Sequence, residues 1–208
     1  AADENSPENI YKTLYTKFEN QEFETVIAET DKYITLFDGE AIVPKYEFLK
    51  AVSKARIYGY ESYKESVNYI ALNYPNSPEG KKAEEMLQTT LPLLENSEYS
   101  DDATGSSFKV VYQFSNDEKE SSPEFVKELD EAVGKIRYFD LSTSVDRYNS
   151  DLTFVVVHGL KSIDGAKGFA EILNEFENNI NRDHFAISSQ NYLIVLVHKN
   201  LEAYLNSN

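Results

Sequence analysis

His158, His184 and His198 are the side chains whose charge ordinarily changes near neutral pH, so acid–base catalysis or metal ligation would begin with them. His158 and His198 each close an apolar run that reads as a strand, and such strand ends could be neighbours across a sheet. A metal site needs three or four converging ligands. Asp183 beside His184 adds a candidate but no recognisable ligand spacing. With 36 acidic residues, close pairs such as Glu84-Glu85 and Asp101-Asp102 are inevitable, and both pairs read as solvent-facing. Gly165-Ala166-Lys167-Gly168 lies inside a helical stripe and lacks the glycine pattern of a phosphate loop; Gly168 there would admit close helix-to-sheet packing. No Ser, His and Asp share a spacing that suggests a nucleophile with its base. The chain has no cysteine, which excludes disulfides and thiolate chemistry. The expectation is a protein that is not an enzyme and has no catalytic, metal or cofactor residues.

Recognition is the other chemistry these residues could perform. Tyr46, Lys50, Lys54 and Tyr58 recur every four residues, which puts them along one side of a helix as candidate partner-binding residues. The same spacing equally suits a tyrosine packed against the next helix.

The elements that would carry them follow from hydrophobic period. Up to about residue 95 the apolar residues keep helical spacing. Ile10, Tyr11, Leu14, Tyr15 and Phe18 form one stripe, and Phe23, Val26, Ile27, Ile34 and Leu36-Phe37 form the next, stopped at Asp38-Gly39. A third helix runs from Pro44 to Gly59 and a fourth from about Tyr60 to Tyr74, with Tyr63, Val67, Ile70 and Ala71 inward. A last helix opens at Ser77-Pro78-Glu79 and runs towards Leu94, bent or ended by Pro92. Residues 1–95 thus read as helix pairs, and 96–106 as a polar, acidic, mobile connector. From Phe108 the apolar residues alternate, so 107–208 reads as α+β.

That second part begins with strand Phe108–Phe114 and a helix capped near Ser121-Ser122-Pro123-Glu124. A strand follows with Phe139, Leu141, Thr143 and Val145 on one face and Asp140, Ser142, Ser144 and Asp146 on the other. A turn at Asn149-Ser150-Asp151 leads to the central strand up to His158, and then to a helix carrying Ala166, Phe169, Ala170, Leu173, Phe176 and Ile180. Phe185–Ser188 and Tyr192–His198 read as a final hairpin, ahead of a tail helix Leu201–Leu205. The whole is a two-domain chain: helical hairpins, then a ferredoxin-like βαββαβ domain with one extra C-terminal strand. Leu193–Val197, apolar on both faces, is expected inside the sheet beside Phe108–Phe114, with Phe185–Ser188 at the edge and both helices on one face.

Charge narrows the partners. The formal net charge is −16, with 10 Lys+Arg against 20 Asp+Glu in residues 1–105 and 10 against 16 in 106–208. A polyanion is bound by cations that displace its counterions, so nucleic acid and anionic lipid are excluded as partners. The acidity serves solubility, or else a basic partner. No run of 18 apolar residues is present to span a membrane. The start AADENSPEN has neither Met nor a leader pattern, and reads as a processed or excised segment with any lipid anchor upstream.

Two resemblances add to this. Tyr46–Ala51 followed by Gly59-Tyr60-Glu61-Ser62-Tyr63, and the phrase Asn73-Tyr74-Pro75-Asn76-Ser77-Pro78-Glu79-Gly80-Lys81-Lys82-Ala83, resemble tetratricopeptide repeats of bacterial envelope proteins. Tyr148–Val157, Gly165–Leu173, Phe185–Tyr192 and the closing His198-Lys199-Asn200-Leu201-Glu202-Ala203-Tyr204-Leu205 resemble the C-terminal end of the SprE/PorW family. These are long tetratricopeptide lipoproteins of the gliding-motility and type IX secretion apparatus. The likeness implies a non-catalytic scaffold on the periplasmic face of the outer membrane that contacts other protein components of that machine. An alternative is a periplasmic module that binds a peptide or small ligand in a sheet-side cleft.

Overall fold

A computed structural model describes residues 3–118, 121–136, 140–175 and 179–207. The chain divides into two units, one of Ala1–Ser97 with Val197–Lys199, the other of Glu98–Leu196 with Asn200–Asn208.

The first unit is helical. Its helices are α1 (Pro7–Glu19), α2 (Phe23–Leu36), α3 (Val43–Tyr58), α4 (Tyr60–Asn73), α5 (Pro78–Gln88) and α6 (Thr90–Glu95). Ser6-Pro7 and Ser77-Pro78 start α1 and α5 in the same way. The serine hydroxyl accepts an orphan N–H, from Asn9 at 3.3 Å and from Gly80 at 2.9 Å, and proline takes the first helical position. Beyond α2 the chain turns at Gly39, whose φ of +84° lies in the left-handed region that glycine enters without strain. The helix opening at Ser77 breaks at Thr89 rather than running to Leu94. Pro92 has no N–H for the Gln88 carbonyl and its ring would strike that carbonyl, so α6 starts afresh.

Two buried clusters hold this unit. Tyr46, wholly buried, gathers α1, α2 and α3: its ring meets Tyr11 edge-on at 5.6 Å and approaches Tyr33 and Phe37, and its hydroxyl donates to Pro7 O at 2.6 Å. Leu14, Val26 and Leu49 complete that cluster. The other joins Ala51, Tyr60, Val67, Ile70, Ala83 and Leu91.

The second unit contains β1 (Phe108–Ser115), α7 (Ser122–Lys135), β2 (Ser142–Arg147), β3 (Leu152–Leu160), α8 (Ile163–Glu175), β4 (His184–Ser188), α9 (Ser189–His198, its last two residues counted with the first unit) and α10 (Leu201–Ser207). The sheet is antiparallel with order β2-β3-β1-β4. Its register is fixed by pairs such as Tyr112↔Val155, Val110↔Ala186 and Val145↔Val155. Thus β1-α7-β2 and β3-α8-β4 are two crossovers, each stepping over one strand. Phe108, Val110, Tyr112 and Phe114 point to one face, where Phe125 and Leu129 of α7 and Phe169 and Leu173 of α8 cover them. Ser121 caps α7, accepting the Glu124 N–H at 3.4 Å. Asn149 shapes the β2–β3 turn, its Oδ1 accepting N–H groups of Asp151 and Leu152.

Four sequence expectations need correction or restriction. Tyr192–His198 is not an extra strand but most of α9; the place beside β1 belongs to β4, which is also the edge. A seven-residue run apolar on both faces fits a buried helix as well as a buried strand. The residues read as a turn are a helix start, with Ser188 Oγ accepting the Asn191 N–H at 3.2 Å. On the opposite sheet face Val111, Phe154, Val156 and Ile187 lie under Tyr192, Val195, Leu201 and Tyr204. Gly168 has no atom within 4 Å of the space a Cβ would take, so it mediates no close packing. Phe139 and Phe176, assigned to a strand and a helix, fall outside the described residues.

Most of the segment expected to be a mobile connector, from Glu98 onward, belongs to the second unit. Asp102, in a 3-10 turn (Asp102–Thr104), is buried. Its Oδ1 accepts from Ser188 N at 2.7 Å and Asn191 Nδ2 at 2.9 Å, and its Oδ2 accepts from Tyr204 Oη at 2.5 Å.

Candidate functional site

In the first unit α1, α3 and α5 line a groove of about 450 Å3. Tyr11, Tyr15 and Phe18 contribute from α1; Lys45, Phe48, Leu49 and Val52 from α3; Pro78, Glu79 and Lys82 from α5. Positions 11, 15 and 18, and 45, 48, 49 and 52, follow helical spacing, so each helix turns a continuous strip to the groove. The strips are aromatic and partly exposed: Tyr15 keeps 44% of its surface open, and its ring lies against Phe18 at 6.0 Å and Tyr11 at 6.3 Å. Two ammonium groups overhang the aromatic floor, Lys45 Nζ at 4.4 Å from the Tyr11 ring and Lys82 Nζ at 5.6 Å from the Phe48 ring. Burial raises the pKa of the Tyr11 phenol, with Tyr15 and Glu79 adding to the shift. The chemistry available is burial of apolar side chains with charged groups at the margins.

The four residues nominated from sequence lie along α3 but do not share one surface. Tyr46 is a core residue. Lys50 and Lys54 line a smaller cleft of about 230 Å3 with Glu47, Glu65, Ser66 and Tyr69. Lys50 is engaged there, bonded to Asp31 at 2.9 Å and Glu47 at 3.1 Å. Burial works against its charge, but these two carboxylates outweigh burial and raise its pKa. Tyr58 is exposed. The groove uses the neighbouring strip of α3, which the four-residue spacing did not single out.

The histidines are held apart in separate settings. His198 Nε2 lies 2.8 Å from Leu94 O and 3.1 Å from Ser97 Oγ, and its ring is 5.5 Å from Tyr60, all within the first unit. His184 Nδ1 lies 2.7 Å from Arg182 O. His158 is the most elaborated: Nδ1 meets Lys109 Nζ at 2.8 Å and Nε2 meets Ser144 Oγ at 2.6 Å, while Asp146 accepts from Tyr192 Oη at 2.6 Å close by. An ammonium only donates, so Nδ1 is the acceptor and Nε2–H points at the serine. A nucleophilic serine needs the reverse, an unprotonated nitrogen facing the hydroxyl and a carboxylate behind the ring. Lysine stands where that carboxylate would be. Among the described residues no three His, Asp or Glu side chains converge as metal ligands.

This trio carries a prediction. Burial, then the Lys109 charge, hold the His158 pKa below its ordinary value, while Asp146 pulls weakly the other way. An NMR titration should find its midpoint below about 6.5, and Lys109→Met should raise it. The folded state then binds fewer protons than the unfolded chain, so this group costs stability as pH falls through the window below about 6.5. A midpoint at or above the ordinary value would contradict the arrangement.

No protein-family model matches the chain, and no curated protein matches it. Among the described residues no helix is long and apolar enough to cross a membrane.

Proposed function

We propose that the chain is a non-catalytic scaffold that docks other proteins in the α1/α3/α5 groove, as a periplasm-facing part of a secretion or motility assembly in the cell envelope. The observation that carries this reading is the groove itself. Three helices, each the first of a hairpin or its equivalent, line one concavity, with an aromatic strip from α1, an apolar strip from α3 and Pro78, Glu79 and Lys82 from α5. In tetratricopeptide arrays the first helix of each pair lines the concave binding surface, and α1–α2, α3–α4 and α5 follow that plan. The second unit suits a ferredoxin-like reading: its element order is βαββαβ and its strand order is β2-β3-β1-β4. The likeness of the closing phrase to SprE/PorW lipoproteins supports the secretion and gliding setting.

Affinity capture from envelope extracts tests this with the wild-type chain and Tyr15→Asp. Tyr15 is exposed, so its loss leaves the fold intact, whereas a charged residue on an aromatic docking surface is expected to cut affinity at least about tenfold. The expected result is a secretion or motility component retained by wild type and lost with the variant. Recovery of no such component, or equal recovery by both proteins, would count against the proposal.

A further inference from the structure

Resting on that reading of the groove, we infer that its partner is an acidic apolar peptide segment, a hydrophobic stretch flanked by Asp or Glu. The argument is one of charge. In residues 1–105 carboxylates outnumber cations two to one, 20 against 10. The groove lining reverses that ratio, with Lys45 and Lys82 against Glu79 alone. Both lysines are exposed, and neither has an ion-pair or hydrogen-bond partner among the described residues. Elsewhere in the unit Lys17, Lys50 and Lys64 are each matched with a carboxylate, Glu29, Asp31 and Glu95, at 2.8–2.9 Å, whereas Lys12, Lys32, Lys54 and Lys81 have no ion pair among the described residues, so it is the position of Lys45 and Lys82 on the apolar groove that sets them apart. The two groove lysines instead lie over the rings of Tyr11 and Phe48. A ring face holds an ammonium without neutralising it, and leaves N–H donors for an incoming group. Once a ligand covers the apolar floor, water is excluded and a carboxylate on those donors is held more strongly than in bulk solvent. An apolar segment would fill the space over Tyr15, Leu49 and Val52 while its acidic flanks reach Lys45 and Lys82. A basic segment would meet both ammonium groups and only one carboxylate. The chain's overall acidity therefore misleads as to the partner: the surface is acidic, the groove is not.

Fluorescence anisotropy tests this on the full chain with synthetic peptides of about a dozen residues. They share a Leu- and Phe-bearing core at helical spacing and differ only in Glu, Gln or Lys flanks. The Glu peptide should bind about tenfold more tightly than the Lys peptide, in line with two modest ion pairs. Raising the salt should shrink that gap, and Lys45→Glu/Lys82→Glu should reverse the order. Tyr15→Asp should weaken every peptide. If all three bind equally, or the Lys peptide binds best, and Tyr15→Asp still weakens them, the groove is a docking surface and the charge inference is overturned. If no peptide binds, or Tyr15→Asp changes nothing, the groove reading fails and the inference with it.

Discussion

Gly80→Ala should lower the stability of the first unit by about 3 kcal/mol, among the largest effects of any single-methyl addition to this chain. Gly80 sits in the first turn of α5, and a Cβ there would lie 1.8 Å from Tyr74 O, 2.5 Å from Tyr74 C and 3.2 Å from Pro75 Cα. All three are backbone atoms, so no side-chain rotation relieves the clash. Nor can the carbonyl retreat freely. It accepts from Ser77 N at 3.0 Å and Ser77 Oγ at 2.8 Å, while Tyr74 N donates to Ile70 O at the end of α4. Moving it undoes the turn that passes the chain from α4 to α5, and with it one wall of the groove. Alanine's better helix propensity, worth about 1 kcal/mol, offsets only part of this. Gly134→Ala is the control: nothing lies within 4 Å of that Cβ position in α7, so stability should rise by about 0.5–1 kcal/mol. Hydrogen exchange resolved by segment distinguishes the two. Amides of α4 and α5 should lose about a hundredfold in protection in Gly80→Ala, and a variant as protected as wild type would show that the close approach is not as described.

Asp102→Ala should cost the second unit about 3 kcal/mol, because it strands two buried donors that the carboxylate now satisfies, the Ser188 amide and an Asn191 side-chain N–H, and removes the bond to the Tyr204 hydroxyl, which falls back on Ala186 O. Asp102→Asn should cost only about 1 kcal/mol. An amide can turn its oxygen to Ser188 and Asn191 and its NH2 to Tyr204, whose hydroxyl then donates to Ala186 O, already 3.1 Å away. Simple packing would leave Asp102→Asn, which keeps the shape of the side chain, at no cost, so a loss in that variant reports the hydrogen bonds themselves. The acid limb gives a second readout. Burial alone would raise the Asp102 pKa, but the bonds from Tyr204, Ser188 and Asn191 outweigh it and hold the pKa below its ordinary value. Its contribution is therefore complete above the unfolded value of about 3.9 and is lost as pH falls through the folded one. Urea midpoints of Asp102→Ala should accordingly lose less than wild type on passing from neutral pH to strong acid. Parallel acid limbs would contradict the network.

How much of this was legible beforehand depended on whether a residue's role is set by its neighbours in sequence or in space. Ser77-Pro78, Gly39 and Asn149 act within a few residues of themselves, so helix starts and turns could be read directly. The alternation Phe108–Phe114 and the apolar run to His158 likewise announced the two central strands. Tyr192–His198 failed because, apolar on both faces, it shows neither period 2 nor period 3.6, and only the Ser188 cap distinguishes helix from strand. The strip of α3 that lines the groove was not singled out, for a related reason. Val43, Tyr46, Leu49, Ala51 and Ile57 are buried around nearly all of it, so no polar stripe marks which strip meets the groove. The signal that would have found it lies on α1, where Tyr11, Tyr15 and Phe18 supply more aromatic surface than one partner helix can cover. The Lys109–His158–Ser144 trio was out of reach: its members come from three strands, and only pairing register brings them together. Asp102 looked like half of a solvated acidic pair because nothing local shows that Ser188, Asn191 and Tyr204 return to it.

Site-specific photo-crosslinking in intact cells tests the central claim, that the α1/α3/α5 groove is where this chain meets its partner. A photoreactive residue at Tyr15 or Lys82 should give a discrete adduct with another envelope protein, and one at the exposed Tyr58 or Tyr69 should give none. Adducts from Tyr58 or Tyr69 with silence from the groove would contradict it.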